Sequence, residues 1–207
     1  MDVPEFGYAD AGAQHTFHYL KPVVLEMAGE NGQGKRVLDV GCGSGFWADQ
    51  FMQRGYGAVG VDPSEQGIDI ARKKYPKGRF ERAVATDDLL QRIGEAPFDL
   101  VTSFEVVEHV YEPKDWASAC FNALKPGGRL ICSTPYHGYL KNLALAVTNG
   151  WDRHLDPLWS GGHIKFFSVN TLSQLLRNAG FVNPRFKGAG RAPYLWMSMV
   201  LAADRPA

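Results

Sequence analysis

In RVLDVGCGSGF, residues 36–46, an apolar run breaks abruptly into alternate glycines. Val37, Leu38 and Val40 make a run short enough for a buried strand, and Gly41, Gly43 and Gly45 interrupt it before a helix-like segment. The pattern therefore reads strand, tight turn, helix. Alternate glycines allow backbone conformations closed to other residues and let a small ligand lie against bare main chain, with helix N–H groups directed at it.

Two departures from common fingerprints narrow the ligand. A dinucleotide turn of the form G-x-G-x-x-G would need glycine at position 46, where the chain has Phe46, and a P-loop would need a lysine after the glycines, where none follows. Asp39, two residues before the first glycine, is expected to add negative charge to the pocket. A carboxylate there repels phosphate and suits an ammonium or a sulfonium.

Asp39-Val-Gly-Cys-Gly-Ser-Gly45 resembles the first motif of class I S-adenosylmethionine-dependent methyltransferases, and the likeness continues through Asp62, residues 98–104 and Lys125-Pro-Gly-Gly128. Glu105-Val-Val-Glu-His-Val110 narrows it toward the O-methyltransferases of ubiquinone biosynthesis. The resemblance implies an α/β, Rossmann-like, seven-stranded and mostly parallel sheet, closed by a C-terminal antiparallel hairpin and flanked by helices on both faces. It implies S-adenosylmethionine as cofactor and S-adenosylhomocysteine as product. The residues it assigns to the cofactor are Asp39, Gly41, Cys42, Gly43, Gly45, Asp62, Pro63, Thr86, Asp87, Phe104 and Glu105.

Length and charge are consistent with this. A chain of 207 residues suits one α/β domain with a substantial core, here with residues 1–34 as an N-terminal cap and 136–165 as a lid-like insertion. Acidic and basic residues balance at 22 each, so nucleic acid is not an expected partner; the resemblance implies a small-molecule acceptor. Cys42, Cys120 and Cys132 are odd in number and far apart, which argues against a disulfide framework. No secretion-signal pattern or membrane-length apolar run is present, and a cytoplasmic location is expected.

Along the chain, residues 1–15 with Phe6, Tyr8 and His15 read as part of the cap, and residues 16–28 as a helix carrying Phe17, Leu20, Val24 and Met27. Tyr8 and Phe17 either pack on the sheet or close over the ligands. Ala58-Val-Gly-Val61 reads as the second strand and ends in Asp62, where a carboxylate can accept both hydroxyls of a ribose, or cap the next helix. Thr86 and Asp87 follow the third strand as adenine contacts, with Asp88 the alternative to Asp87.

Residues 98–104 read as the fourth strand, and ligands in open α/β sheets bind beyond the strand tips at the switch between the first and fourth strands. If residues 105–109 are helical, Glu105 and His109 share a face with Glu108 alongside, and His109 is the expected general base on an acceptor hydroxyl. Glu105, Glu108 and His109 are also ligand types for a divalent ion, but one helical turn leaves coordination incomplete, so no metal is assigned.

The insertion carries Leu140, Leu143, Ala144 and Val147 at helical spacing. This stripe is expected to pack on its own domain; a lid over an aromatic or lipidic acceptor, dipping into a membrane surface, is the alternative, with weak attraction because only Lys141, Arg153 and Lys165 are basic. His137, His154 and His163 are further base candidates. Residues 172–179 read as a capped helix, followed by strands at 181–186 and 194–202.

Methyl transfer is an in-line displacement at a carbon activated by positive sulfur, so alignment does much of the work. The run after the fourth strand lacks the Asn/Asp-Pro-Pro-Tyr pattern of base-modifying amine methyltransferases. O-methylation of a phenolic or catechol-like hydroxyl is the expected reaction. Methylation of a carboxylate, amine or carbon nucleophile, or cofactor binding without catalysis, are the alternatives.

Overall fold

The computed structural model describes residues 16–29, 31–155, 158 and 162–207. Phe6, Tyr8 and His15 of the expected cap, with Trp159 and Gly161 of the insertion, lie outside the described residues.

The strands are β1 (Arg36–Val40), β2 (Gly57–Asp62), β3 (Arg79–Arg82), β4 (Phe98–Phe104), β5 (Leu124–Pro135), β6 (Val182–Ala189) and β7 (Ser198–Asp204). They form one sheet in the order β3-β2-β1-β4-β5-β7-β6, in which β7 runs antiparallel to both its neighbours and the other strands are parallel. The order reverses between β1 and β4, so the tips of these two strands diverge to leave a crevice at Val40 and Phe104. This is the expected Rossmann-like architecture with its C-terminal antiparallel hairpin.

Helices α1 (Phe17–Ala28), α2 (Phe46–Met52), α3 (Glu65–Lys74), α4 (Leu89–Ile93), α5 (Pro113–Asn122), α6 (Tyr139–Val147), α7 (Trp151–Leu155) and α8 (Val169–Asn178) make up the remainder, with a 3-10 turn at Val107–His109. One face of the sheet buries Leu38, Val40, Val101, Leu130 and Leu201 under Trp116 of α5 and Leu172 and Leu176 of α8. The other buries Val37, Ala58, Leu100, Ile131 and Val200 under Leu20, Val24, Phe51 and Ile68 of α1, α2 and α3. Alternation along each strand explains the division, because successive side chains point to opposite faces and both faces are covered.

Local chemistry places the ends. Ser64 caps α3 by accepting the Gly67 N–H at 3.2 Å, and Ser168 and Thr171 form a reciprocal capping box on α8. Asp88 stands at the N-terminal end of α4, immediately before Leu89. Among the described residues no helix is long and apolar enough to cross a membrane.

The insertion departs most from expectation. Of the stripe, Ala144 lines the cavity, but Leu140, Leu143 and Val147 are 50, 47 and 77% exposed and are not buried by the described residues. The inward face of α6 is Lys141, Ala144, Leu145 and Thr148, at the same helical spacing one residue on, with Lys141 only 7% exposed. Apolar periodicity marks a face of a helix but not the direction in which its neighbours turn it.

Candidate active site

The turn after β1 is folded back onto β2. Gly41 and Cys42 donate their N–H groups to the Val61 carbonyl at 2.8 and 3.0 Å, Gly43 donates to Asp62 Oδ2 at 2.9 Å, and Gly45 donates to the Cys42 carbonyl. These amides are therefore engaged within the protein, unlike the open donors of a phosphate cradle. Gly41 has φ 76, and a side chain there would approach Val106 to 2.3 Å, so glycine is required where the β1 turn meets the segment after β4.

Asp62 is at the tip of β2, 5% exposed and on the cavity surface. Its Oδ1 accepts the Ser64 N–H at 2.8 Å and its Oδ2 the Gly43 N–H, an arrangement that fixes the carboxylate. It thus joins the glycine turn to the start of α3 as well as facing the ligand space.

Asp39 corrects the sequence reading. It is 1% exposed and does not line the cavity; the parallel register pairs it with Thr102, whose hydroxyl donates to Oδ1 at 2.8 Å. Oδ2 makes no hydrogen bond of normal geometry, although the Ala48 N–H of α2 is directed toward it. Burial pushes Asp39 up to about 7, with repulsion from Asp62 adding to the effect and the Thr102 bond opposing it. Of Asp39 and Asp62, it is Asp62 that lines the cavity.

This gives a stability prediction. An exposed aspartate in the unfolded chain titrates near 3.9, whereas the folded Asp39 keeps its proton to about 7, so the folded state binds more protons between those values. Its contribution is fully present below about pH 4 and is lost as the pH rises through 7. In urea melts without ligand, wild type is expected to lose more stability than Asp39→Asn between pH 5 and 8, by on the order of 2 to 4 kcal/mol. Equal losses in the two proteins would exclude a raised Asp39.

Cys42 is buried behind the turn against Gly60 and does not line the cavity; nor do Gly43 and Gly45. Gly41, Pro63, Thr86, Phe104 and Glu105 do. Asp87 is absent from the lining and accepts from Asn122 Nδ2 at 3.4 Å, while Thr86 donates its hydroxyl to Asp88 at 2.6 Å. Phe17 packs edge-on against Phe46, with ring centroids 4.2 Å apart, and likewise does not line the cavity. Thr16 and Tyr19, from the start of α1, reach it instead; Tyr19 meets the Ser198 hydroxyl at 3.3 Å.

Beyond β4 the chain does not continue as the helix that would align Glu105 with His109. Glu105 takes a left-handed conformation, φ 54, and its carboxylate accepts the hydroxyls of Ser133 at 2.7 Å and Ser198 at 3.2 Å. Burial raises it to about 7. Only Val107, Glu108 and His109 form the 3-10 turn.

His109 Nδ1 lies 3.2 Å from the Gly162 carbonyl, which can only accept; the imidazole therefore carries its proton on Nδ1 and presents Nε2 as the basic nitrogen. Nε2 is 3.9 Å from Glu108 Oε1. Glu108 is 1% exposed, neither of its oxygens has a hydrogen bond of normal geometry among the described residues, and burial together with Glu105 holds it well above the carboxylate range. His163 stacks edge-on to His109 at 5.0 Å, and one donor atom each from Glu108, His109 and His163 falls within 4.8 Å of the others. Glu105 thus leaves the ligand set read from sequence and His163 joins it. Two imidazoles and a carboxylate suit a transition ion better than magnesium.

These groups surround one cavity of about 1620 Å³, running from Asp62 and Ala83–Ala85 past Glu105 and His109 to α6, α7 and the β6–β7 connection. Its volume exceeds that of a typical single small-molecule pocket, leaving room for a cofactor and an acceptor together. Sequence reasoning missed Tyr19, Ser198 and Arg191 as lining residues, since each reaches the cavity from a distant part of the chain.

Residues 13–184 match a family model described as a methyltransferase domain. The chain is 30% identical over 182 residues to a ubiquinone biosynthesis O-methyltransferase of Aromatoleum aromaticum, covering 85% of this chain and 77% of that one. It is 35% identical over 187 residues to the enzyme of that name from Dinoroseobacter shibae, covering 82% and 74%. Its fold is similar to that of magnesium protoporphyrin IX methyltransferase from Synechocystis, crystallised with S-adenosylhomocysteine, at TM-score 0.68 and 22% identity over 90% of this chain and 81% of that one. The glycine turn closed on β2, the strand-tip acid and this kinship converge: the chain belongs to the methyltransferase family and is an S-adenosylmethionine-dependent enzyme.

Proposed function

We propose that the enzyme methylates a hydroxyl of a small aromatic acceptor, with His109 as general base. The observation that carries this is the His109 imidazole held through Nδ1 by the Gly162 carbonyl, with Nε2 beside the switch point of the sheet. A phenol gains nucleophilicity on losing its proton, and a neutral imidazole is suited to take it. The names of the curated relatives support O-methylation.

In this reading Asp62 holds the ribose hydroxyls, Thr86 and the neighbouring main chain flank the adenine, and Gly41, Phe104 and Glu105 border the methionine portion. Asp39, Cys42, Gly43 and Gly45 act indirectly by shaping the turn. Residues 1–207 form one catalytic unit in which 1–34 cap the site and 136–165 cover the acceptor. Three buried, unpaired cysteines support a reducing, cytoplasmic setting.

A panel of matched acceptors tests the reaction class. With S-adenosylmethionine supplied, S-adenosylhomocysteine is expected to form at least about tenfold faster with catechol than with 1,2-diaminobenzene. Faster turnover of the diamine would remove the hydroxyl assignment.

A further inference from the structure

One wall of the cavity is lined by Lys141, Arg153 and Arg191, and among the described residues none of the three forms an ion pair. Lys141, on the inward face of α6, is 7% exposed and donates to the Met197 carbonyl at 3.2 Å. Among the described residues it has no carboxylate within ion-pair distance. Arg191, held in a left-handed conformation at φ 55 in the β6–β7 connection, lines the same wall, as does Arg153 of α7; His154 beside it adds a neutral hydrogen-bonding ring, since burial lowers it to about 4. His154 Nε2 is buried there with no hydrogen-bond partner among the described residues, and its ring lies 5.5 Å from that of His137.

Glu105 is the acid that acts on Lys141, but its carboxylate is occupied by the Ser133 and Ser198 hydroxyls. A buried ammonium without a counter-ion is costly, and the mutual repulsion of Lys141 and Arg191 adds to the cost. After bonding to Met197, the ammonium retains two N–H donors, and the arginine offers a planar fork that matches a carboxylate.

We propose that this wall is an anion subsite and that the methyl acceptor carries a carboxylate seated on Lys141, Arg191 and His154. The assignment rests on the methyl-transfer reading and specifies its acceptor: an aromatic acid whose carboxylate docks under the lid while a hydroxyl faces His109.

Calorimetric titration of the enzyme–S-adenosylhomocysteine complex with 3,4-dihydroxybenzoate and with its uncharged analogue 4-methylcatechol tests this. The acid is expected to bind wild type at least about tenfold more tightly than the analogue. Lys141→Met and the exposed Arg191→Gln should each bring the two affinities within about twofold, with S-adenosylhomocysteine binding as in wild type. Equal affinities in wild type, absence of acid binding, or a preference retained in both variants would overturn the subsite. Loss of S-adenosylhomocysteine affinity in Lys141→Met would overturn it too, assigning the cations to the cofactor's own carboxylate. Because cofactor and acid are titrated separately, failure of the methyltransferase reading and failure of the subsite give different results.

Discussion

Asp62→Ala is expected to weaken S-adenosylhomocysteine binding by at least about 100-fold, or about 2.8 kcal/mol, when measured by calorimetry. Two losses combine. The ribose hydroxyls lose a charged acceptor, and hydrogen bonds to charged groups contribute more than neutral ones. The Gly43 and Ser64 N–H groups, which donate to Asp62 at 2.9 and 2.8 Å, also lose their partner, so the glycine turn is no longer joined to the start of α3. The second loss lowers stability without ligand, by roughly 1 to 3 kcal/mol for each buried donor left unsatisfied. A thermal melt of the ligand-free variant therefore separates the two. If Asp62→Ala binds within about threefold of wild type, the ribose assignment is wrong whatever the melt shows.

His109→Ala is expected to lower kcat about 100- to 10,000-fold with the fastest acceptor of the panel, while S-adenosylhomocysteine affinity stays within about threefold of wild type. The split between the two measurements carries the argument. His109 lines the cavity, and in the proposed reading it serves the acceptor, whereas the proposed cofactor contacts come from β1, β2, β4 and the segment after β3. The substitution also removes the bond from Nδ1 to the Gly162 carbonyl, which holds the returning end of the insertion. KM is therefore expected to rise, and the rate must be compared at saturating acceptor. His109→Gln offers a side-chain donor toward Gly162 but no base; recovery of KM without kcat in that variant supports a catalytic role. An unchanged kcat in His109→Ala would leave proton removal to solvent or to another group.

The raised acids in and behind the site bear on both experiments. Asp39 and Glu105 are each raised to about 7, and Glu108 is held well above the usual carboxylate range, in every case chiefly because of burial. Their linkage has the same sign, so the protein without ligand is less stable as the pH rises through neutrality. Binding and turnover are best compared at one fixed pH.

Where the chemistry is local, sequence was a sufficient guide. An apolar run, alternate glycines and an acid at the next strand tip identify β1, its turn and Asp62, because the relevant contacts lie between neighbouring strands in register. The fourth strand and the last two strands follow from similar short-range patterns, whereas their antiparallel pairing and the place of the crevice came from the family resemblance, which supplied the strand order.

Tertiary structure decided what depends on direction. Strand register buried Asp39 against Thr102 rather than leaving it on the rim. A left-handed residue at 105 separated Glu105 from His109 and gave it to Ser133 and Ser198, and the returning insertion brought His163 to His109. In α6 the apolar periodicity was read correctly as a helix, but the face that turned inward was the one carrying Lys141. Periodicity is a property of the chain itself, fixed by backbone geometry. Which face is buried, and which distant side chains meet there, depends on what packs against it, and those partners come from parts of the chain too far apart for spacing to relate them.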